Sequence, residues 1–74
     1  MNEYANILSV TVLNEEEGTF SVLTDWTDES GADWPSDAAV QTVLEGVLGF
    51  SVAGVDFTDS GDDLNEGIYT WHAA

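Results

Sequence analysis

The chain has 74 residues with 15 Asp plus Glu, no Lys and no Arg, for a formal net charge of −15. No acid has a permanent cation to pair with inside its own molecule, and close approach to nucleic-acid phosphate or to an anionic membrane surface is repulsive. A hydrophobic fraction of 43% and an aromatic fraction of 11% separate it from the weakly hydrophobic, highly charged chains that stay disordered. A single folded domain over residues 1–74 is expected.

Tyr4 to Leu13 reads as a strand, with Leu8, Val10 and Val12 on one face and Ile7, Ser9, Thr11 and Leu13 on the other. It contains no acid, and two largely neutral faces suit a central strand. Asn14-Glu15-Glu16-Glu17-Gly18 is a turn, and Thr19 to Thr27 follows as a second strand in which Phe20, Val22, Thr24 and Trp26 alternate with Ser21, Leu23 and Asp25. The two form a hairpin. Asp28 to Trp34 is a polar loop leading into Pro35-Ser36-Asp37, a helix start. Val40, Val43, Leu44 and Val47 make one apolar helical stripe, and Gly49 stops it. Phe50 to Phe57 is a third strand with Gly54 as its weak point. Thr58 to Leu64 is a turn, and Asn65 to His72 is a fourth strand carrying Ile68, Tyr69 and Trp71. The order ββαββ predicts an α+β fold: a four-stranded antiparallel sheet, strand order 2-1-3-4, with one helix packed on a face.

If each element crosses the sheet once, the chain runs up the first strand, down the second, up the helix, down the third and up the fourth. Glu3, Asp25, Asp28, Glu29, Asp33, Asp37, Asp56, Asp59, Asp62, Asp63 and Glu66 then fall at the lower end, and Glu15, Glu16, Glu17 and Glu45 at the upper. Ordinary polar loops mix signs or use Lys, so this asymmetry points to a binding surface for a basic partner. The expected partner-binding residues are Asp25, Asp28, Glu29, Asp33, Asp37, Asp56, Asp59, Asp62, Asp63 and Glu66. Trp34, beside Pro35 in an acidic loop, either staples the helix start or projects towards the partner. Trp26 and Trp71 read as core by their alternation with polar neighbours.

Catalytic chemistry finds no support. The Asp56 to Glu66 stretch lacks the alternating ligand pattern and terminal bidentate Glu of an EF-hand loop. A domain this small leaves little room for the apolar cleft that a glycosidase carboxylate needs. His72 is the only histidine, with no nucleophile motif beside it, and reads as a solvent-accessible strand residue. No Gly-rich phosphate loop is present, and with no Lys or Arg there is no usual means of holding an anionic substrate. The expectation is a protein that is not an enzyme and takes neither metal nor cofactor. The chain has no cysteine, hence no sign of an oxidising compartment. No basic n-region precedes the apolar stretch Ile7 to Leu13, and no apolar run approaches the ~20 residues of a spanning helix. A cytoplasmic location, no membrane role and a monomer or small homo-oligomer are expected.

Duplex DNA carries one negative charge per roughly 1.7 Å of axis, and 15 charges across a domain about 30 Å wide come close to that density. In size and charge over the whole chain, the sequence resembles the small acidic proteins of phages and mobile elements that mimic DNA, including anti-restriction and anti-CRISPR inhibitors. Those proteins have unrelated folds, and no short motif carries the resemblance. It implies a mode of action: occupying the DNA-binding surface of a host nuclease, CRISPR complex or other basic nucleic-acid-binding protein in the host cytoplasm, without binding nucleic acid directly. The alternative is an acidic structural or assembly protein of a virus or an extreme halophile. Halophilic adaptation generally keeps some Arg, and this chain has none.

Overall fold

The computed structural model describes residues 3–74. Strands β1 (Ile7–Asn14) and β2 (Thr19–Thr24) form the first hairpin, helix α1 (Asp37–Leu48) follows, and β3 (Val52–Ser60) and β4 (Glu66–Ala73) form the second. All four strands join one antiparallel sheet, and the helix covers one face of it. The order is β1-β2-β4-β3, which differs from the expected 2-1-3-4. Both orders make every neighbouring pair antiparallel, so direction alone does not choose between them. Burial does. Phe20, Val22 and Thr24 of β2 and Gly67 and Tyr69 of β4 are fully covered, whereas β1 leaves Leu8 59% exposed. The acid-free first strand is therefore an edge.

Within β1 the faces also depart from simple alternation. A register shift between Ile7 and Ser9 turns Ile7 towards the core beside Val10 and leaves Leu8 outside. Val10 opposes Val22 and Val12 opposes Phe20, and Phe20 in turn opposes Tyr69 on β4. The Phe20 and Tyr69 rings stack with centroids 5.3 Å apart, the offset geometry aromatic pairs favour. Val40 and Leu44 of the helix, with Val52 and Val55 of β3, close this core, and Ile7, Val10, Leu48 and Trp71 pack against it.

The helix begins and ends as its sequence dictates. The Ser36 hydroxyl accepts the Ala39 N–H at 3.2 Å, and Asp37 places a negative charge in the first turn, where the helix dipole favours it. Gly49 adopts φ 82° and donates its N–H to the Glu45 carbonyl at 2.8 Å, a left-handed cap that only glycine makes at no steric cost. The buried line runs Val40, Leu44, Leu48, and the remainder of the expected stripe, Val43 and Val47, stays exposed. Rotation of the helix towards β3 explains this. Gln41 Nε2 donates to the Val52 carbonyl at 2.9 Å, and the Glu45 carboxylate accepts the Val52 N–H at 2.8 Å. These two bonds moor the helix to the start of β3.

Beyond the reach of the helix, the indole of Trp34 lies over β4, and Gly67 makes room for it. A methyl group on Gly67 would come within 3.0 Å of Phe57 and Trp34 ring carbons and 3.1 Å of a Tyr69 ring carbon. Gly67→Ala should therefore destabilise the domain by about 1–3 kcal/mol through overpacking, read as a lower urea midpoint with an unchanged denaturant slope.

Candidate partner-binding surface

Strand directions are those expected, so the start of β1, the end of β2, the end of β3 and the start of β4 share the lower end. β2 ends at Thr24, three residues short of expectation, because the buried Thr24 hydroxyl accepts the Trp26 N–H at 3.1 Å and turns the chain off the sheet. The same hydroxyl donates to the Asn65 carbonyl at 3.1 Å, while Asn65 Nδ2 donates to the Thr24 carbonyl at 2.9 Å. This clasp ties the exit of β2 to the entrance of β4, and with it the two acidic loops.

The loop after β2 is long but firmly held. The Asp25 carboxylate accepts from both the backbone N–H of Asn6 at 2.7 Å and its side-chain amide at 2.9 Å. The Asn6 side chain first, and its backbone N–H second, hold the Asp25 carboxyl below its ordinary range. The Asp33 carbonyl accepts the Ala5 N–H at 2.8 Å and the Asp33 N–H donates to the Glu3 carbonyl at 2.7 Å, a short parallel bridge. Ser30 closes the tip by donating to the Thr27 carbonyl at 2.8 Å and accepting the Ala32 N–H at 3.2 Å. Asp28 and Glu29 stand exposed on that tip. Asp37 stands exposed at the helix start, close enough to Tyr69 to affect its hydroxyl.

On the second loop the Glu66 carboxylate folds back to accept the Asp62 N–H at 3.1 Å, and Asp59 accepts the N–H of its neighbour Ser60 at 2.8 Å. Asp62 and Asp63 project into solvent. An open groove of about 730 Å³ separates the two loops, with Asp25, Asp28 and Glu29 on one bank and Asp63, Leu64 and Asn65 on the other. The structure thus brings together the acids expected at the lower end, with one correction. Asp56 lies in the middle of β3, opposite Thr70, and its carboxylate meets the exposed His72 imidazole on the face away from the helix. Strand β3 runs three residues further than expected, to Ser60, which moves Asp56 from an end to the centre.

The tryptophans also separate. Trp71 packs against the core near Phe20, with centroids 5.9 Å apart. Trp26, expected in the core, lies past the end of β2. There it donates its indole N–H to the Ala32 carbonyl at 2.9 Å and meets Trp34 edge to face. Trp34 anchors the loop just before the helix by donating to the Tyr69 hydroxyl at 2.6 Å, and its ring also lines a second hollow with Trp26, Phe57 and Leu64. Burial pushes the Tyr69 hydroxyl up, the Trp34 bond pulls it back, and the Asp37 charge adds to the rise. Phe57 and Leu64 carried no functional signal in sequence, because only the fold brings them to Trp26 and Trp34.

Among the described residues no three Asp, Glu or His side chains gather as the ligands of one metal ion would, and no helix is long and apolar enough to cross a membrane. Comparison with protein-family models, with curated proteins and with solved structures finds no match to this chain.

Because the Asp25 carboxyl is held low in the folded state, its contribution to stability is present above the unfolded value of about 3.9 and is lost as pH falls through the folded value. Asp25→Asn should lower the urea midpoint at about pH 7, since one Asn6 donor then faces an amide nitrogen. The gap from wild type should narrow steadily below about pH 4; a gap independent of pH would show that charge on Asp25 does not hold the clamp.

Proposed function

We propose that this protein is a DNA-mimicking inhibitor whose acidic end occupies the basic nucleic-acid-binding surface of a host defence complex or another DNA-binding protein. The observation that carries the reading is the convergence of two acidic loops on one groove, with the carboxylates of Asp28, Glu29, Asp62 and Asp63 turned to solvent. The long axis measures 36 Å, and 15 acids along it amount to about one charge per 2.4 Å, within a factor of two of duplex DNA. A channel lined with Lys and Arg gains a charge-assisted hydrogen bond for each carboxylate that stands in for a phosphate oxygen. The loop clasps favour this use, since a carboxylate whose backbone is already fixed loses less freedom on binding. The inhibitor acts by occupancy, with no reaction and no cofactor, and does not itself touch nucleic acid.

Recovered from host extract with its target, the protein should displace DNA or RNA from that target competitively, and more weakly as salt is raised. Among Asp28, Glu29, Asp33, Asp59, Asp62 and Asp63, neutralising any three (Asp to Asn, Glu29 to Gln) should weaken displacement at least tenfold more than neutralising the three acids Glu15, Glu16 and Glu17 by Gln, on the basis of about 1 kcal/mol or less per exposed pair. Equal losses would show that net charge alone matters. Continued nucleic-acid binding by an inhibited target would replace mimicry with an allosteric block.

Salt tests the alternative. Between about 0.01 M and 0.15 M the Debye length falls from ~30 Å to ~8 Å, so the melting temperature should rise over that range and the domain should already be fully folded at its upper limit. A requirement for molar salt would favour the halophile reading.

A further inference from the structure

We infer that the hollow walled by Trp26, Trp34 and Phe57 is a seat for the guanidinium of an arginine presented by the partner. This rests on the proposed encounter with a basic surface and adds to it a specific anchor. The hollow measures about 410 Å³ and is completed by Ser60, Leu64 and Glu66. Trp26 and Leu64 also border the acidic groove, so the two depressions share a wall.

Its walls are fixed before any ligand arrives. Each indole is locked by its own N–H, Trp26 to the Ala32 carbonyl and Trp34 to the Tyr69 hydroxyl. The two rings meet at 64° with centroids 6.5 Å apart, and Phe57 stands edge-on to Tyr69 at 86° and 5.3 Å. Gly67 beneath them keeps the floor flat enough for Trp34 and Phe57 to approach. At the same time Phe57 and Leu64 are 51% and 69% exposed, so the seat is open to solvent.

The chemistry of the wall selects the occupant. Both indole donors are already engaged, which leaves the Ser60 hydroxyl as the sole side-chain donor for an anion or a carbonyl oxygen. A purely apolar plug would gain nothing from Glu66 and would cost water from any part of its carboxylate that it covered. A cation suits the three aromatic rings, whose faces carry negative potential, and the acidic Glu66 that lines the hollow with them. Arginine suits the seat better than lysine, since its guanidinium is planar, weakly hydrated and stacks on rings. Glu66 gives one oxygen to the Asp62 N–H and retains the other for a guanidinium nitrogen.

The test uses the whole ¹⁵N-labelled protein titrated with a capped tri-arginine peptide, with tri-lysine and with the neutral isostere tri-citrulline. The indole N–H signals of Trp26 and Trp34 should move saturably with tri-arginine, less with tri-lysine and not with tri-citrulline. The Trp71 signal serves as the internal reference, since that ring lies against the turn glycine Gly18 and not in the seat. Phe57→Ala, at a half-exposed position whose ring meets the core at Tyr69, should weaken the arginine response about three- to tenfold while the unchanged Trp71 signal reports that the fold is kept. Movement confined to the backbone signals of Asp28, Glu29, Asp62 and Asp63, an equal response to citrulline, or full affinity in Phe57→Ala would each overturn the seat. The competition assay separates the two readings. Displacement of nucleic acid that is indifferent to Phe57→Ala removes the seat and leaves mimicry standing, whereas a working seat with no displacement leaves the seat and removes mimicry.

Discussion

The absence of any lysine or arginine is the constraint from which the architecture follows, because every carboxylate must find either water or a neutral donor. The protein divides its acids between those two fates. Asp25, Glu45, Asp59 and Glu66 accept backbone N–H groups from Asn6, Val52, Ser60 and Asp62, so main-chain amides do the work that cations do in ordinary proteins. Each bond falls where an element starts, stops or turns. Most of the remaining acids are left to solvent, Asp28, Glu29, Asp62 and Asp63 at the lower end and Glu15, Glu16 and Glu17 at the upper, while Asp56 meets His72. Within the described residues no side-chain polar atom is buried without a partner, so the apolar interior is not burdened by the charge outside it.

The 12-residue stretch between β2 and α1 is long for a connection without regular structure, and such loops in small domains are either functional or disordered. Here it is pinned at its start by Asn6, along its length by the bridge to Tyr4, and at its end by Trp34 on Tyr69. The two tryptophans take over from the helix as cover for the lower half of the sheet. An acidic surface and an aromatic hollow are thereby built on the same rigid support, and that combination distinguishes this end from the Glu15–Glu17 turn opposite.

Much of the fold was legible in the chain, for reasons particular residues make plain. Ser36 and Gly49 mark the helix ends by chemistry that needs no tertiary context, and Asn14 to Gly18 marks the first hairpin turn in the same way. The strand order was not legible from neutrality. A strand without acids can be central, but it can equally be an edge whose outward positions are Ser9 and Thr11. The informative signal lay in β2, where Phe20, Val22 and Thr24 alternate into full burial. Local pattern also misplaced Leu8 and Asp56, because a register shift and a longer strand move side chains in ways that periodicity does not encode. The acidic end was legible because the direction of each element follows from hairpin connectivity. The aromatic hollow was hidden: Trp26, Trp34, Phe57 and Leu64 come from three separate segments and meet only once Gly67 has brought the sheet under them.

The edge position of β1 has a colloidal consequence. Its outer row of backbone donors and acceptors faces no other strand of the sheet, and between Tyr4 and Asn14 the strand itself carries no charge to discourage a neighbour. Repulsion between copies comes instead from the net charge of −15, carried elsewhere on the surface. If the proposed basic partner neutralised the acidic end, it would remove that repulsion and leave the edge as it was. Such a complex, more than the free protein, would be the form in which strand β1 is open to addition by another chain.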